Sequence, residues 1–318
     1  MAIDKSGGFG CIAYQGTSIL PGLKGRSIER GDDQRIVFEP PLQLDEFWRN
    51  DLGQHQFNHL AKSNFAILTE GAAVGDSAEF LTLESRLWGT LYSILLLGIP
   101  RFVGGLVVVG TTHPNGIVTH RVQSPYPIHL CPHARPAFVS GNMLLKAKGI
   151  SRGLREIHRR GDQYLRVRRG FNAWLAGTRA AHGDERLHQF VRAVEAIVKP
   201  TQGDIGAQFT SRALLFSSNG EVLSELYKLR SLAEHMLEYS SEVTGHPNWD
   251  VERRGWYRSF QAEVLAGRIY ARLLADDGVR AHFATDDTMD AFWSQDLSNR
   301  RAIWGKSINL NHLADARF

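Results

Sequence analysis

The chain has 318 residues, 43% apolar and 22% charged, with a formal net charge of +4. That is ample material for buried cores in about two domains, and the mild basic excess permits an anionic partner while excluding a histone-like or arm-like composition. Only Cys11 and Cys131 are present, which excludes a disulfide framework and points to a reducing, cytoplasmic setting.

The start, Met1 to Gly8, has no basic head followed by an apolar core and is not read as a secretory signal. Residues 1 to about 30 are rich in glycine, with short apolar patches at 11–14 and 18–20, and predict irregular structure or short edge strands. From Leu42 to about Leu97, apolar residues recur at spacings of three and four, as in 44–48 and 84–92, which predicts helices. Phe102 to Val109 is short, β-branched and bounded by Pro and Gly, as a buried strand is. The greasiest stretch, Trp88 to Gly110, is broken by Pro100, Arg101 and glycines at 89, 98, 104 and 105. A bilayer span needs about 20 mostly apolar residues without such a charge, so no membrane contact is expected.

Pro125, Pro127, Pro132 and Pro136 then forbid a regular helix and mark a loop. His113, His120, His129, Cys131 and His133 lie in or near it. Zinc sites show paired ligands at wider, recurring spacings and no second Cys pair exists, so no metal is expected. The glycines at 7, 8 and 10 and at 22 and 25 lack the spacing of a phosphate-binding loop, and no cofactor is expected.

From about Lys146 the pattern turns helical, with helices expected at 163–175, 185–198, 205–216, 221–239 and 257–276. Lys199-Pro200 and Gly203 close the second of these, and Asp276-Asp277-Gly278 the last. Just after the change, Arg152, Arg155, His158, Arg159, Arg160, Arg166, Arg168 and Arg169 follow one another with only Glu156 and Asp162 between them, and Tyr164 and Phe171 close by. Such a stripe is either a solvated, salt-bridged helical face or a surface that tracks a phosphate backbone while aromatic rings stack on bases. On the second reading Arg155, Arg159, Arg160, Arg166, Arg168 and Arg169 are candidate RNA-binding residues.

In 221–239 the apolar residues 222, 226, 229, 233 and 236 form one seam. Arg230 falls at its edge, where the stem is buried and the guanidinium emerges, while Ser231 and His235 share the polar side. From spacing alone Arg230 and Glu234 form an ordinary surface pair, which contributes about 0.3–0.5 kcal/mol. Arg230 and His235 point about 140° apart on a straight helix, so directing both at one substrate atom requires a helix end, a kink or a symmetric partner.

The run Asp184 to Ala196, then Phe209-Thr210-Ser211-Arg212-Ala213, then Leu226 to His235, in that order, resembles the Apea-like branch of the HEPN superfamily. A later helix, Gln261 to Leu274, and the tail from His282 to Trp293 resemble it too. The resemblance implies a mainly α chain: a C-terminal HEPN-type helical bundle at 146–318, preceded by a mixed α/β region at 1–145 with a sensor or regulatory role. It further implies a metal-independent endoribonuclease, with Arg230, Ser231 and His235 at the family's catalytic positions. The resemblance implies a site in the cleft of a homodimer or higher homo-oligomer, and associates it with toxin or antiviral defence systems and a partner protein or activator. Met236 stands where the family commonly has a small residue, and Glu234 precedes the His. The readings beside it are a non-catalytic HEPN module that binds RNA or a partner protein, and a helical scaffold.

Overall fold

The computed structural model describes residues 7–31, 33–41, 46–71, 77–113, 116–131, 136–239 and 249–313, and not the side chains at 47, 77–81, 113, 116, 231–239, 249–255 and 312. Two units divide the chain, Met1–Pro127 with Pro136–Ser151, and Ile128–Arg135 with Arg152–Phe318.

The first unit is organised around β1 (Gly7–Gln15). Beside it stand β2 (Ser27–Gly31), β3 (Gln34–Val37), β4 (Phe65–Gly71), β5 (Val103–His113) and β6 (Gly116–Gln123), with α1 (Glu46–Ala61) and α2 (Ser77–Leu95) in the connections. The sheet runs β2-β3-β4-β1-β5-β6, and every neighbouring pair is antiparallel. Cys11 sits opposite Leu68 on one side and Val108 on the other. Side chains alternate along a strand, so Phe9, Cys11 and Ala13 share one face, where they meet Trp48, Leu52 and Leu60 of α1. Phe9 meets Trp48 edge to face with ring centroids 6.0 Å apart. On the opposite face a Cβ at Gly10 would lie 2.8 Å from Leu87 Cδ1 of α2.

These observations correct two expectations. Within the glycine-rich start, Gly7–Gln15 is neither irregular nor an edge strand, because β1 is a central strand whose first eight residues are all buried, whereas β2 at Ser27–Gly31 is a short edge strand as expected. A strand covered on both faces has no polar alternation to display. The expectation of a mainly α chain is corrected with it: one six-stranded antiparallel sheet organises the first unit, and the chain is a mixed α and β protein with a helical second unit. The helices expected between 42 and 97 are α1 and α2, with β4 between them.

The division between units falls inside α3 (Gly141–Arg159). After it come α4 (Leu165–Arg179), α5 (Gly183–Val198), α6 (Ile205–Ala213), α7 (Gly220–Tyr239), α8 (Trp249–Ala275), α9 (Asp277–Ala281), α10 (Asp286–Ser294) and α11 (Leu297–Trp304). In α5 the buried residues 186, 187, 190, 191, 193, 194, 197 and 198 form one stripe, and Asp184 and Glu185 suit the positive end of the helix dipole. It ends at Lys199, a non-glycine residue at φ 48°, whose ammonium is held 3.0 Å from Asp286 O and 2.7 Å from Asp290. Asp204, Asp276, Thr285 and Asp296 each accept from a backbone N–H at the start of α6, α9, α10 and α11. Asp276 thus begins a further helix directly where the end of α8 was expected. Among the described residues no helix is long and apolar enough to cross a membrane.

The tightest contact in this unit joins α4, α5 and α8. Tyr270 Oη donates to Ala193 O at 2.9 Å, and a Cβ at Gly170 would lie 1.7 Å from that hydroxyl oxygen. Gly170→Ala is therefore expected to displace the ring and break the bond, at a cost of about 1–3 kcal/mol from overpacking plus about 1 kcal/mol from the hydrogen bond. Urea denaturation measures it; an unchanged midpoint would show that α4 does not approach α8 this closely.

Candidate active site

Arg230 lies on α7, and its Nη1 donates to Glu195 Oε1 of α5. The two side chains are 19% and 17% exposed, so the pair is half sheltered rather than a solvated surface contact. The guanidinium carbon stands 5.7 Å from the centroid of the Tyr227 ring, one turn earlier, and that ring packs on Phe209 of α6 at 5.1 Å. Arg230 is therefore held from α5 and from its own helix, with α6 backing the Tyr227 ring. The seam beneath it is as expected at Val222 and Leu226, which are buried, and Leu223 joins them.

Glu195, whose carboxylate Arg230 Nη1 meets, stands 35 positions earlier in the chain, which no local spacing rule reaches; the pairing with Glu234 expected within the helix falls on a side chain outside the described residues. The backbone of α7 continues through the Ser231 and His235 positions, but the side chains of Ser231, Glu234 and His235 lie outside the described residues.

Beside Arg230, α6 and α7 enclose a groove of about 480 Å³, lined by Asp204, Thr210, Ser211, Ser224, Tyr227 and Lys228 among others. Three of its polar groups already serve the helix: Asp204 accepts from Ala207 N, Thr210 Oγ1 donates to Gly206 O, and Ser211 Oγ donates to Gln208 O. Tyr227 connects this groove to the guanidinium. On the far side of α7, Glu225 pairs with Arg258 of α8.

The basic stripe falls at the corner where α3 ends and α4 begins. Arg152, His158, Arg159, Arg160 and Arg169 are exposed, and Arg155, Arg166 and Arg168 are intermediate. Glu156 receives both Arg159, at 2.7 Å, and Arg160, at 2.5 Å. Arg166 pairs with Asp286 of α10 at 2.5 Å, and this contact holds the Asp286 carboxyl below its ordinary range. Arg168 donates to Gly161 O. His158, although exposed at its edge, is pushed below its usual value first by the partial desolvation of its ring and then by the charge of Arg168. Tyr164 is buried rather than displayed to solvent, and so is Phe171; neither offers a free stacking face.

His120 Nε2 lies 2.8 Å from Thr111 Oγ1, His129 N donates to Thr178 O, and Cys131 Sγ lies 3.5 Å from Trp256 O. The side chain of His113 and all of His133 lie outside the described residues. Among those described, no group of three His, Cys, Asp or Glu side chains converges as a metal site would.

Sequence reasoning missed the most deeply buried ionic contact. Arg186 of α5, 0% exposed, donates from Nη2 to Glu263 of α8 and from Nη1 to His129 O at 2.8 Å and Ala180 O at 3.3 Å. Burial pushes the Glu263 carboxyl above its ordinary range, against the pull of Arg186. The signal was present in the sequence: Arg186 is in phase with Phe190, Val194 and Ile197 on the apolar face of its helix.

Comparison with protein-family models, with curated proteins and with solved structures gives no match for this chain.

Proposed function

We propose that the protein is a metal-independent endoribonuclease of the HEPN type, working from Arg230 and His235 with Ser231 in support, in the cytoplasm and as a homodimer. The observation that carries the reading is the holding of Arg230 by Glu195 and Tyr227 on the helix that also bears His235. A guanidinium fixed by a carboxylate of a neighbouring helix and a ring of its own is prearranged for a phosphate, rather than searching for one from solvent.

In this reaction the 2′-oxygen attacks phosphorus, the bond to the 5′-oxygen breaks, and the products end in a 2′,3′-cyclic phosphate and a 5′-hydroxyl. The 2′-hydroxyl loses a proton and the departing oxygen gains one. An imidazole performs either transfer near neutral pH. The planar donors of Arg230 stabilise the crowded phosphorus anion, which binds them more strongly than the ground-state phosphate does. The 140° between Arg230 and His235 along α7 is overcome when a twofold-related copy contributes its own pair to one cleft.

One observation favours a second reading, a module that binds RNA without cutting it: the Glu195 carboxylate neutralises Arg230 in the resting protein. The two part on end-labelled RNA in excess EDTA. The ribonuclease leaves fragments with 2′,3′-cyclic phosphate ends, whereas intact RNA, or cleavage that EDTA abolishes, contradicts it.

A further inference from the structure

The corner between α3 and α4 carries seven arginines, Arg152, Arg155, Arg159, Arg160, Arg166, Arg168 and Arg169, and no lysine between the first and the last. Glu156 is shared by Arg159 and Arg160, one negative charge between two cations, which leaves a net positive charge there, while Arg166 pairs with Asp286. Arg168 is held by a carbonyl, which positions it without neutralising it. Arg152 and Arg169 are exposed and make no ion pair among the described residues.

Folding does not explain this arrangement. Like charges at one corner repel one another, and Arg166 and Arg168 stand in the first turn of α4, where the helix dipole disfavours cations and no acidic residue stands. The corner is nevertheless rigid. Tyr164, at φ 60° and buried, anchors it through its N–H to Ala284 O at 2.6 Å.

We infer that this corner is a docking surface for the phosphate backbone of single-stranded RNA, with Arg152, Arg168 and Arg169 as its leading contacts and Arg159 and Arg160 at its rim. Arginine in place of lysine favours phosphate, which its planar fork grips in bidentate fashion. A membrane surface is a poorer fit, because the apolar residues of α3 at 154 and 157 and of α4 at 167 and 171 are buried, and exposed Leu165 alone offers too little apolar surface to insert. The choice of RNA as the polyanion rests on the proposed ribonuclease reading; the surface itself does not. Buried Tyr164 and Phe171 make the contact electrostatic and independent of base identity.

The test measures binding of the full chain carrying His235→Ala to a labelled single-stranded RNA, in EDTA, over a range of salt. Arg152→Gln with Arg169→Gln, and separately the two charge reversals to Glu, are expected to weaken binding at least tenfold. Each lost contact should reduce the slope of log affinity against log salt by about 0.7. Lys24→Glu with Arg26→Glu, exposed cations of the first unit, should change neither. Wild-type affinity in both corner variants overturns the inference, and so does capture by phosphatidylserine vesicles in place of RNA. Failure of the ribonuclease reading looks different: the protein binds RNA through the corner yet leaves it uncut. If both hold, the corner variants in the otherwise wild-type chain raise KM and leave kcat unchanged.

Discussion

Arg186→Ala is expected to destabilise the protein by about 3–5 kcal/mol, the range for removing one partner of a buried ion pair. The substitution leaves the Glu263 carboxylate without its countercharge, and deprives the carbonyls of His129 and Ala180 of a donor. It also removes the guanidinium that lies 5.4 Å from the Phe190 ring centroid. Glu263→Ala should be similarly costly, because it leaves a fully buried cation uncompensated. Arg186→Met with Glu263→Leu should cost less than the two single changes added together, since an apolar pair of similar volume carries no desolvation penalty. Denaturant unfolding of the wild type, the two alanine variants and the Met–Leu variant measures these costs. A cost below about 1 kcal/mol for Arg186→Ala would mean that the pair is hydrated in solution and does not anchor α5 to α8.

Legibility of the fold followed the strength of local signals. Helices α4 and α5 start and stop within a few residues of expectation because their apolar stripes are long and their ends are marked by charge, Pro and Gly. β5 was anticipated from its β-branched run and extends beyond it to His113. β1 was misread for a physical reason: its glycines are required by close contacts. A Cβ at Gly10 would strike Leu87, and one at Gly110 in β5 would lie 2.7 Å from the Phe9 ring. Glycine that signals a turn in isolation is here the residue that lets a helix or a ring reach the sheet. β4 was hidden inside a stretch read as helical, because a run such as Phe-Ala-Ile-Leu buried on both faces carries no period of two.

The candidate site was legible only in part. Its motif lies within six residues of α7, and the sequence displays it directly. The carboxylate of Glu195 that meets Arg230 comes from α5, and the countercharges of the basic corner come partly from α10. Those pairings are set by tertiary packing. The aromatic rings near the stripe, Tyr164 and Phe171, are consumed by the core rather than displayed beside its charges.

His235→Ala is expected to slow RNA cleavage by about 10²–10⁴-fold, the usual loss on deleting a general acid or base. Arg230→Ala should cost about 10²–10³-fold, as for deletion of a donor that stabilises transition-state charge. Arg230→Lys should not restore the rate, because an ammonium is a point charge and cannot span two phosphate oxygens. The Glu195 pair supplies a control within the same site. Glu195→Gln keeps an acceptor for Arg230 and removes the competing charge, so it should preserve cleavage far better than Arg230→Ala. Mixing the Arg230→Ala and His235→Ala chains should regain part of the activity if the cleft is shared by two copies, and should regain none if each copy works alone.

The central claim is tested most directly by single-turnover cleavage of end-labelled RNA in excess EDTA by the wild-type, Arg230→Ala and His235→Ala proteins side by side. The expected result is cleavage to 2′,3′-cyclic phosphate ends by the wild type, with both variants slower by at least about two orders of magnitude. Equal cleavage by all three proteins would contradict the assignment of the site, and intact RNA with the wild type would contradict the ribonuclease itself.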